Sequence, residues 1–208
     1  MIAGINLYEI MQISPIFDIL LLCSVLMFAV AMERFWSYRF LKVGDPNSFM
    51  DKVKESIAHG RQDEMLKLCT EEEVKPLYRM VKVGILNIRK GKKNVAKLME
   101  GTIMVEKIKM EKYLPILGTL GNSGVFIGLL GTVIGIIRAF KLLETSSSTG
   151  PTAIMIGIAE ALISTAMGLL VSIPCVVLFN SFTETIKTFS LDMDIAKKEF
   201  LTMLSKKK

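Results

Sequence analysis

Residues 152–182 read TAIMIGIAEALISTAMGLLVSIPCVVLFNSF, an apolar run with a single charge, Glu160. A helix needs about 20 apolar residues to cross the hydrocarbon layer of a membrane, and this run is long enough. A carboxylate at that depth costs about 2.5 kcal/mol or more unless it is protonated, paired or wetted. Glu160 therefore points to an ion pathway or to a buried polar contact between helices. Small and hydroxylated residues surround it, which suits close helix packing and a wet interior better than lipid.

Outward from this run, charge and apolarity are segregated along the chain. Mean hydropathy is +0.45, and 51% of the 208 residues are hydrophobic, yet 22% are charged. Two further apolar segments account for this, at 15–32 and 113–141. The first carries Asp18 near its start and is uninterrupted from 19 to 32. The predicted fold is all-α, a three-span helical membrane protein.

The net charge is +6. A basic balance can mark nucleic-acid binding, but here its location gives another reason. Residues 33–112 hold 18 of the 26 Lys and Arg, and the first 14 residues hold none. The positive-inside rule then orients the chain. Segment 1–14 lies outside, helix 15–32 spans, and 33–112 is a helical region inside. Helix 113–141 returns, 142–151 is an outer loop, helix 152–182 spans again, and 183–208 is an inside helix with a basic tail. Contact with anionic lipid is a second use for the positive charge; no nucleic-acid partner is expected. The N-terminus lacks a positive n-region and a small-x-small cleavage site, so 15–32 reads as a retained anchor. Cys23, Cys69 and Cys175 form no C-x-x-C pair, so neither a metal nor another cofactor is expected. His59, beside Gly60, reads as solvated.

The inside region reads as helical. Asn47 or Ser48 can cap a helix carrying Phe49, Val53 and Ile57, ended by Gly60. Asp63 can open a second, with Leu66 and Cys69 on one face. Pro76 suits the first turn of a third, in which Leu77, Met80, Gly84, Ile85 and Ile88 follow. From Asn94, residues Val95, Leu98, Met99, Thr102, Ile103, Glu106 and Met110 keep helical spacing. That pattern predicts one helix over 94–141, about 70 Å long at 1.5 Å per residue. The third span is expected to run on through Ile186, Phe189, Met193, Ile195 and Leu201. Two long helices would thus extend into the inside region. Ile2, Ile5, Ile10 and Ile13 suggest a short outer helix. Glu33 and Arg34 form a charge pair at the inner interface, followed by Trp36 and Tyr38, aromatics of that level.

Within the spans, Gly124 and Gly128 form one G-x-x-x-G, and Gly131 and Gly135 another. Such glycines let backbones approach closely, either within one chain or between subunits. Ala161, Ser164, Gly168 and Ser172 make a matching stripe. The midpoint between Thr132 and Thr165, like that between Arg138 and Glu160, falls in the outer loop, so each pair lies at similar depth in an antiparallel hairpin. Arg138 and Glu160 are natural partners; alternatively, Arg138 snorkels to the outer interface. Glu160 and Thr165 stand about 140° apart on an ideal helix and need not line one surface.

VFIGLLGTVIGIIRAF (125–140) and GIAEALISTAMGLLVSIPCVVLFNSF (157–182) resemble the membrane motifs of the MotA/TolQ/ExbB proton-channel family. The ExbB and TolQ branch is the closer match, because MotA has four spans. ERFW (33–36) and HGRQDEMLKLC (59–69) look like that branch's cytoplasmic region. The resemblance implies a subunit of the bacterial inner membrane with its N-terminus periplasmic and its C-terminus cytoplasmic, assembled as a homo-oligomeric ring. In the family, a pentamer surrounds an ExbD- or TolR-type single-span partner whose helix carries a proton-binding aspartate. Proton flow energises an outer-membrane process through a TonB- or TolA-type protein. Thr132, Glu160 and Thr165 take the family's polar pore positions, and Arg138 stands where an uncharged residue is expected. Two other readings compete: a non-conducting scaffold that clamps a partner helix, and a sodium-driven stator of the same family. No nucleophile–base pair and no G-K-[ST] phosphate loop supports an enzyme.

Overall fold

The computed structural model describes residues 15–41, 46–59, 61–72, 74–145 and 150–206. The outer helix expected near the N-terminus lies outside the described residues, as does the tip, at 146–149, of the loop expected on the outer side. In order, the helices are α1 (Pro15–Leu41), α2 (Pro46–Ala58), α3 (Gln62–Glu71), α4 (Pro76–Leu86), a 3-10 turn at Ile88–Lys90, α5 (Lys92–Glu111), α6 (Leu114–Thr145) and α7 (Gly150–Lys206). All regular structure among the described residues is helical, and three helices are long and apolar enough to cross a membrane. The chain divides into two compact units, Met1–Met32 with Tyr113–Ser181, and Glu33–Lys112 with Phe182–Lys208.

The first unit is built on 3–4 spacing. α1 buries Ile16, Leu20, Cys23 and Met27. α6 buries Leu114, Leu117, Gly121, Gly124, Gly128, Gly131, Gly135 and Ala139, and α7 buries Gly157, Ala161, Ser164, Gly168, Ser172 and Cys175. This 3.5-residue repeat is the pattern of helices packed side by side along a seam. Large apolar side chains point the other way, among them Leu22, Val25 and Phe28 on α1, Phe126, Leu130 and Ile137 on α6, and Leu162, Leu170 and Val177 on α7. Small residues inward and large ones outward is the arrangement expected where lipid tails are as apolar as the core.

The second unit has an ordinary hydrophobic core. Phe49, Val53 and Ile57 of α2, Met65 and Cys69 of α3, Leu77, Met80 and Val81 of α4, and Val95, Met99 and Ile103 of α5 are buried together with Ile186, Met193 and Phe200 of α7. Gly84 makes room for Phe200: a Cβ there would lie 3.0 Å from its ring. Glu106, 3% exposed, is held by Arg79 at 2.9 Å and Lys109 at 2.8 Å. A buried carboxylate is tolerable only with such partners.

Three expectations need correction. First, 94–141 is not one helix: α5 stops at Glu111 and α6 begins at Leu114. Tyr113 has φ of +67°, a left-handed conformation that no helix can continue through. Pro115 lacks the N–H that would bond back to the preceding turn and restricts the residue before it. Second, α2 starts at Pro46, so Asn47 and Ser48 lie inside it rather than at its cap; proline suits the first helical position. Third, the two aromatics Trp36 and Tyr38 are not alike: Trp36 is 62% exposed, whereas Tyr38 is 6% exposed and turned inward. The run of α7 beyond the third span is as expected, and Pro174 sits inside it without breaking it.

Candidate functional site

The hairpin of α6 and α7 positions every polar residue singled out in the spans. Its facing pairs are Gly118 with Phe179, Gly121 with Cys175 and Val176, Gly124 with Ser172, Gly128 with Gly168, Gly131 with Ser164, Gly135 with Ala161, and Gly157 with Ala139. A Cβ on Gly128 would sit 3.1 Å from the Gly168 Cα and 3.1 Å from the Ser164 carbonyl oxygen, and one on Gly135 would sit 2.9 Å from the Ala161 Cβ. Backbone lies on backbone, so only glycine or a very small residue fits. Of the two uses open to the glycines, packing within the chain is the one the structure displays.

The hydroxyls lie along this seam. Thr165, half-buried, donates to the Gly128 carbonyl oxygen of the opposite helix at 3.1 Å. Thr132, also half-buried, is one turn along α6 from Gly128 and donates to the Leu129 carbonyl at 2.6 Å. Ser164 donates to the Glu160 carbonyl at 3.1 Å. Ser172 Oγ is buried without a hydrogen-bond partner. Thr132 and Thr165 are thus neighbours in depth, as their equal spacing from the α6–α7 loop requires. Each has committed its proton to a backbone carbonyl and keeps lone pairs that can accept from water or a hydrated proton.

Glu160 and Arg138 are half-buried and lie toward the loop end of the hairpin, where Gly135 faces Ala161 and Ala139 faces Gly157. The Glu160 carboxylate feels the positive charge of Arg138. Glu160 sits beside the seam rather than in it, since Ala161 takes the inward position. No group of His, Cys, Asp and Glu that could hold a metal ion occurs among the described residues.

Sequence reasoning missed Gly157 and Ala139, which extend the seam toward the α6–α7 loop. The signal was available, because both continue the 3–4 spacing. It also missed what Arg34 and Tyr38 do, since nothing in a sequence shows which carbonyl a side chain will find.

Comparison with known proteins gives the family. Residues 51–195 match the model of the MotA/TolQ/ExbB proton channel family. The chain is 34% identical to the Tol-Pal system protein TolQ of Pseudomonas aeruginosa over 73% of its own length and 62% of that protein's. It is 33% identical to the biopolymer transport protein ExbB of Pseudomonas putida, over 55% of this chain and 35% of that one. It is 30% identical to the ExbB of Aquifex aeolicus over 70% of this chain and 92% of the relative. The chain thus spans less than two thirds of the two Pseudomonas relatives and nearly all of the Aquifex one. It is a multi-pass membrane protein belonging to the MotA/TolQ/ExbB proton channel family, in the ExbB/TolQ branch.

Proposed function

We propose that this chain is the ring-forming subunit of a proton-driven motor of the inner membrane. Copies of it, five by analogy with the family, surround an ExbD- or TolR-type single-span helix. Thr132, Thr165 and Glu160 of each copy face the path along which the partner's aspartate is protonated and released. The stored energy passes through a TonB- or TolA-type protein to an outer-membrane process, either TonB-dependent import or Tol-type envelope maintenance. The N-terminus is periplasmic and the C-terminus cytoplasmic, a topology supported by the concentration of Lys and Arg in 33–112.

The observation that carries the reading is the hydroxyl of Thr165 on the Gly128 carbonyl, one turn from Thr132. Two half-buried hydroxyls at one depth, with spare acceptor capacity, are a partial proton path. One chain holds too few titrating groups to complete it. The missing group must come from a partner, so the activity belongs to the assembly.

Purified chain reconstituted in liposomes with a single-span ExbD- or TolR-type partner tests this. The expected result is proton flux, read by an internal pH dye, that requires both proteins. An assembled complex that passes no protons would establish the scaffold reading instead.

A further inference from the structure

Three stretches of chain cross into the second unit: α1 at Glu33, the end of α5 at Lys112, and α7 at Phe182. Within that unit, Tyr38 touches all three. It belongs to α1, its hydroxyl donates to the Met110 carbonyl of α5 at 2.8 Å, and its ring meets that of Phe182 edge-on with centroids 5.3 Å apart. Arg34, one turn earlier on α1, donates to the same Met110 carbonyl at 3.3 Å. Arg34 also pairs with Glu33, and its guanidinium carbon lies 5.8 Å from the Tyr38 ring centroid. Both side chains are buried, at 5% and 6% exposure.

The location explains the chemistry. The last carbonyls of α5 have no donor within their own helix. Tyr113 leaves the helical conformation, and Pro115 has no N–H to offer. A cation and a hydroxyl at a helix C-terminus answer those carbonyls and complement the helix dipole. Packing alone would be served by Phe at 38 and an aliphatic residue at 34. Two donors from one helix, aimed at one oxygen of another, instead fix the position of α1 against α5, while the Tyr38 ring fixes both against α7.

We infer that Arg34 and Tyr38 are coupling residues: they tie the three chain crossings together, so that a displacement of one membrane helix reaches the second unit as a movement of all three. The inference rests on the motor reading above. Both residues are positioning residues, and neither touches the proton path.

The test uses the full chain in liposomes with its single-span partner, comparing the native protein with Tyr38→Phe and Arg34→Lys. Tyr38→Phe keeps the ring on Phe182 and removes the donor. At equal pH on both sides, backbone amide exchange over 104–112 should be about tenfold faster in Tyr38→Phe, the effect of losing one net hydrogen bond, with 76–86 unchanged. Under an imposed pH gradient, the native second unit should change its exchange pattern. Both variants should lose that change while partner-dependent proton flux persists. A gradient-driven change that survives in Tyr38→Phe overturns the inference, and so does native flux without any such change. Loss of assembly in Tyr38→Phe overturns it as well, because the hydroxyl would then be purely structural. Absence of flux in the native complex overturns the motor reading instead; the equal-pH exchange result still reports on the tie.

Discussion

Thr165 donates its hydroxyl to the Gly128 carbonyl oxygen across the α6–α7 seam, at 3.1 Å. By regular helix geometry, the same oxygen receives the backbone N–H of Thr132, four residues on. The two threonines expected to serve the ion pathway are thereby joined through one carbonyl. The contact exists because Gly128 has no side chain: a Cβ there would come within 3.2 Å of the Thr165 Cα. Close packing and the polar site are consequences of the same glycine.

Thr165→Val and Thr132→Val keep the shape and remove the hydroxyl. Thr165→Val should cost about 1 kcal/mol or less, the usual worth of a hydrogen bond between membrane helices. Thr132→Val should cost less, because it loses only a bond to its own helix. Both variants should assemble and lose proton flux. Melting in detergent and the liposome assay check the two halves of this expectation. Retained flux in both variants would remove the hydroxyls from the pathway.

The glycine seam calls for a different outcome than a purely intersubunit role would. Gly128→Leu or Gly131→Leu should split the hairpin of the single chain and not merely prevent assembly. Overpacking typically costs about 1–3 kcal/mol where neighbours can yield. At Gly128 the opposing atoms are backbone, so the loss should be at the upper end or beyond. Limited proteolysis of the detergent-solubilised chain, alongside native mass spectrometry, separates the cases. A protease-resistant monomer that fails to assemble would return the seam to the subunit interface.

Much of this was legible in the sequence. The three long apolar helices, the helical nature of the region between the first and second of them, and the depth match of Thr132 with Thr165 follow from hydropathy, 3–4 spacing and the position of the α6–α7 loop. The break at Tyr113 was not legible, because Val95 to Met110 and the run beyond Pro115 share one periodicity. A single left-handed residue leaves no trace in a pattern of apolar positions. The inward contacts of Tyr38 were hidden for a related reason. An aromatic near a span end suits the headgroup level on average, but the donor that a free helix-end carbonyl recruits is settled by tertiary packing. The spacing of Glu160 from Thr165 showed only that the two need not line one surface; that Ala161 takes the inward position and leaves Glu160 beside the seam comes from the structure.

Two glycines of the second unit should respond in opposite directions to the same substitution. Gly84→Ala puts a methyl 3.0 Å from the Phe200 ring and 3.1 Å from the Met99 sulfur, so the core must shift and the melting temperature should fall. Gly101→Ala lies mid-helix in α5 with nothing within 4 Å, and should stabilise by up to about 1 kcal/mol through helix propensity. Thermal unfolding of the two variants checks both signs. A stabilising Gly84→Ala would mean that the Phe200 ring and the Met99 sulfur yield by the few tenths of an ångström needed, leaving helix propensity to decide.

Cys69 is fully buried, and burial pushes its thiol up to about 11. The folded state therefore favours the neutral thiol. That preference contributes its full stability below the thiol's ordinary range and is lost as pH rises through the folded value. Alkylation of Cys69 in the native protein should stay slow at pH 9, where an unfolded chain reacts readily, because only the thiolate attacks. Mass spectrometry after a timed iodoacetamide pulse reads this. Rapid native labelling at pH 8 would contradict the buried assignment.

Arg138 and Glu160 carry the most distinctive prediction. Arg138 acts electrostatically on the Glu160 carboxylate, and both are half-buried near the loop end of the hairpin. If they hold each other, Glu160→Gln leaves a cation without its counter-charge, and Arg138→Met leaves a carboxylate in the same state. Each single change should then cost more than its own lost contacts, because an uncompensated buried charge is the expensive outcome. The double variant should lose less than the two singles combined. Proton flux is scored separately from assembly. Assembly rescued in the double variant with flux still absent would give Glu160 both roles, holding the hairpin's outer end and acting in conduction. Strictly additive losses of assembly would show that Arg138 reaches the outer interface instead and that Glu160 serves the ion path alone.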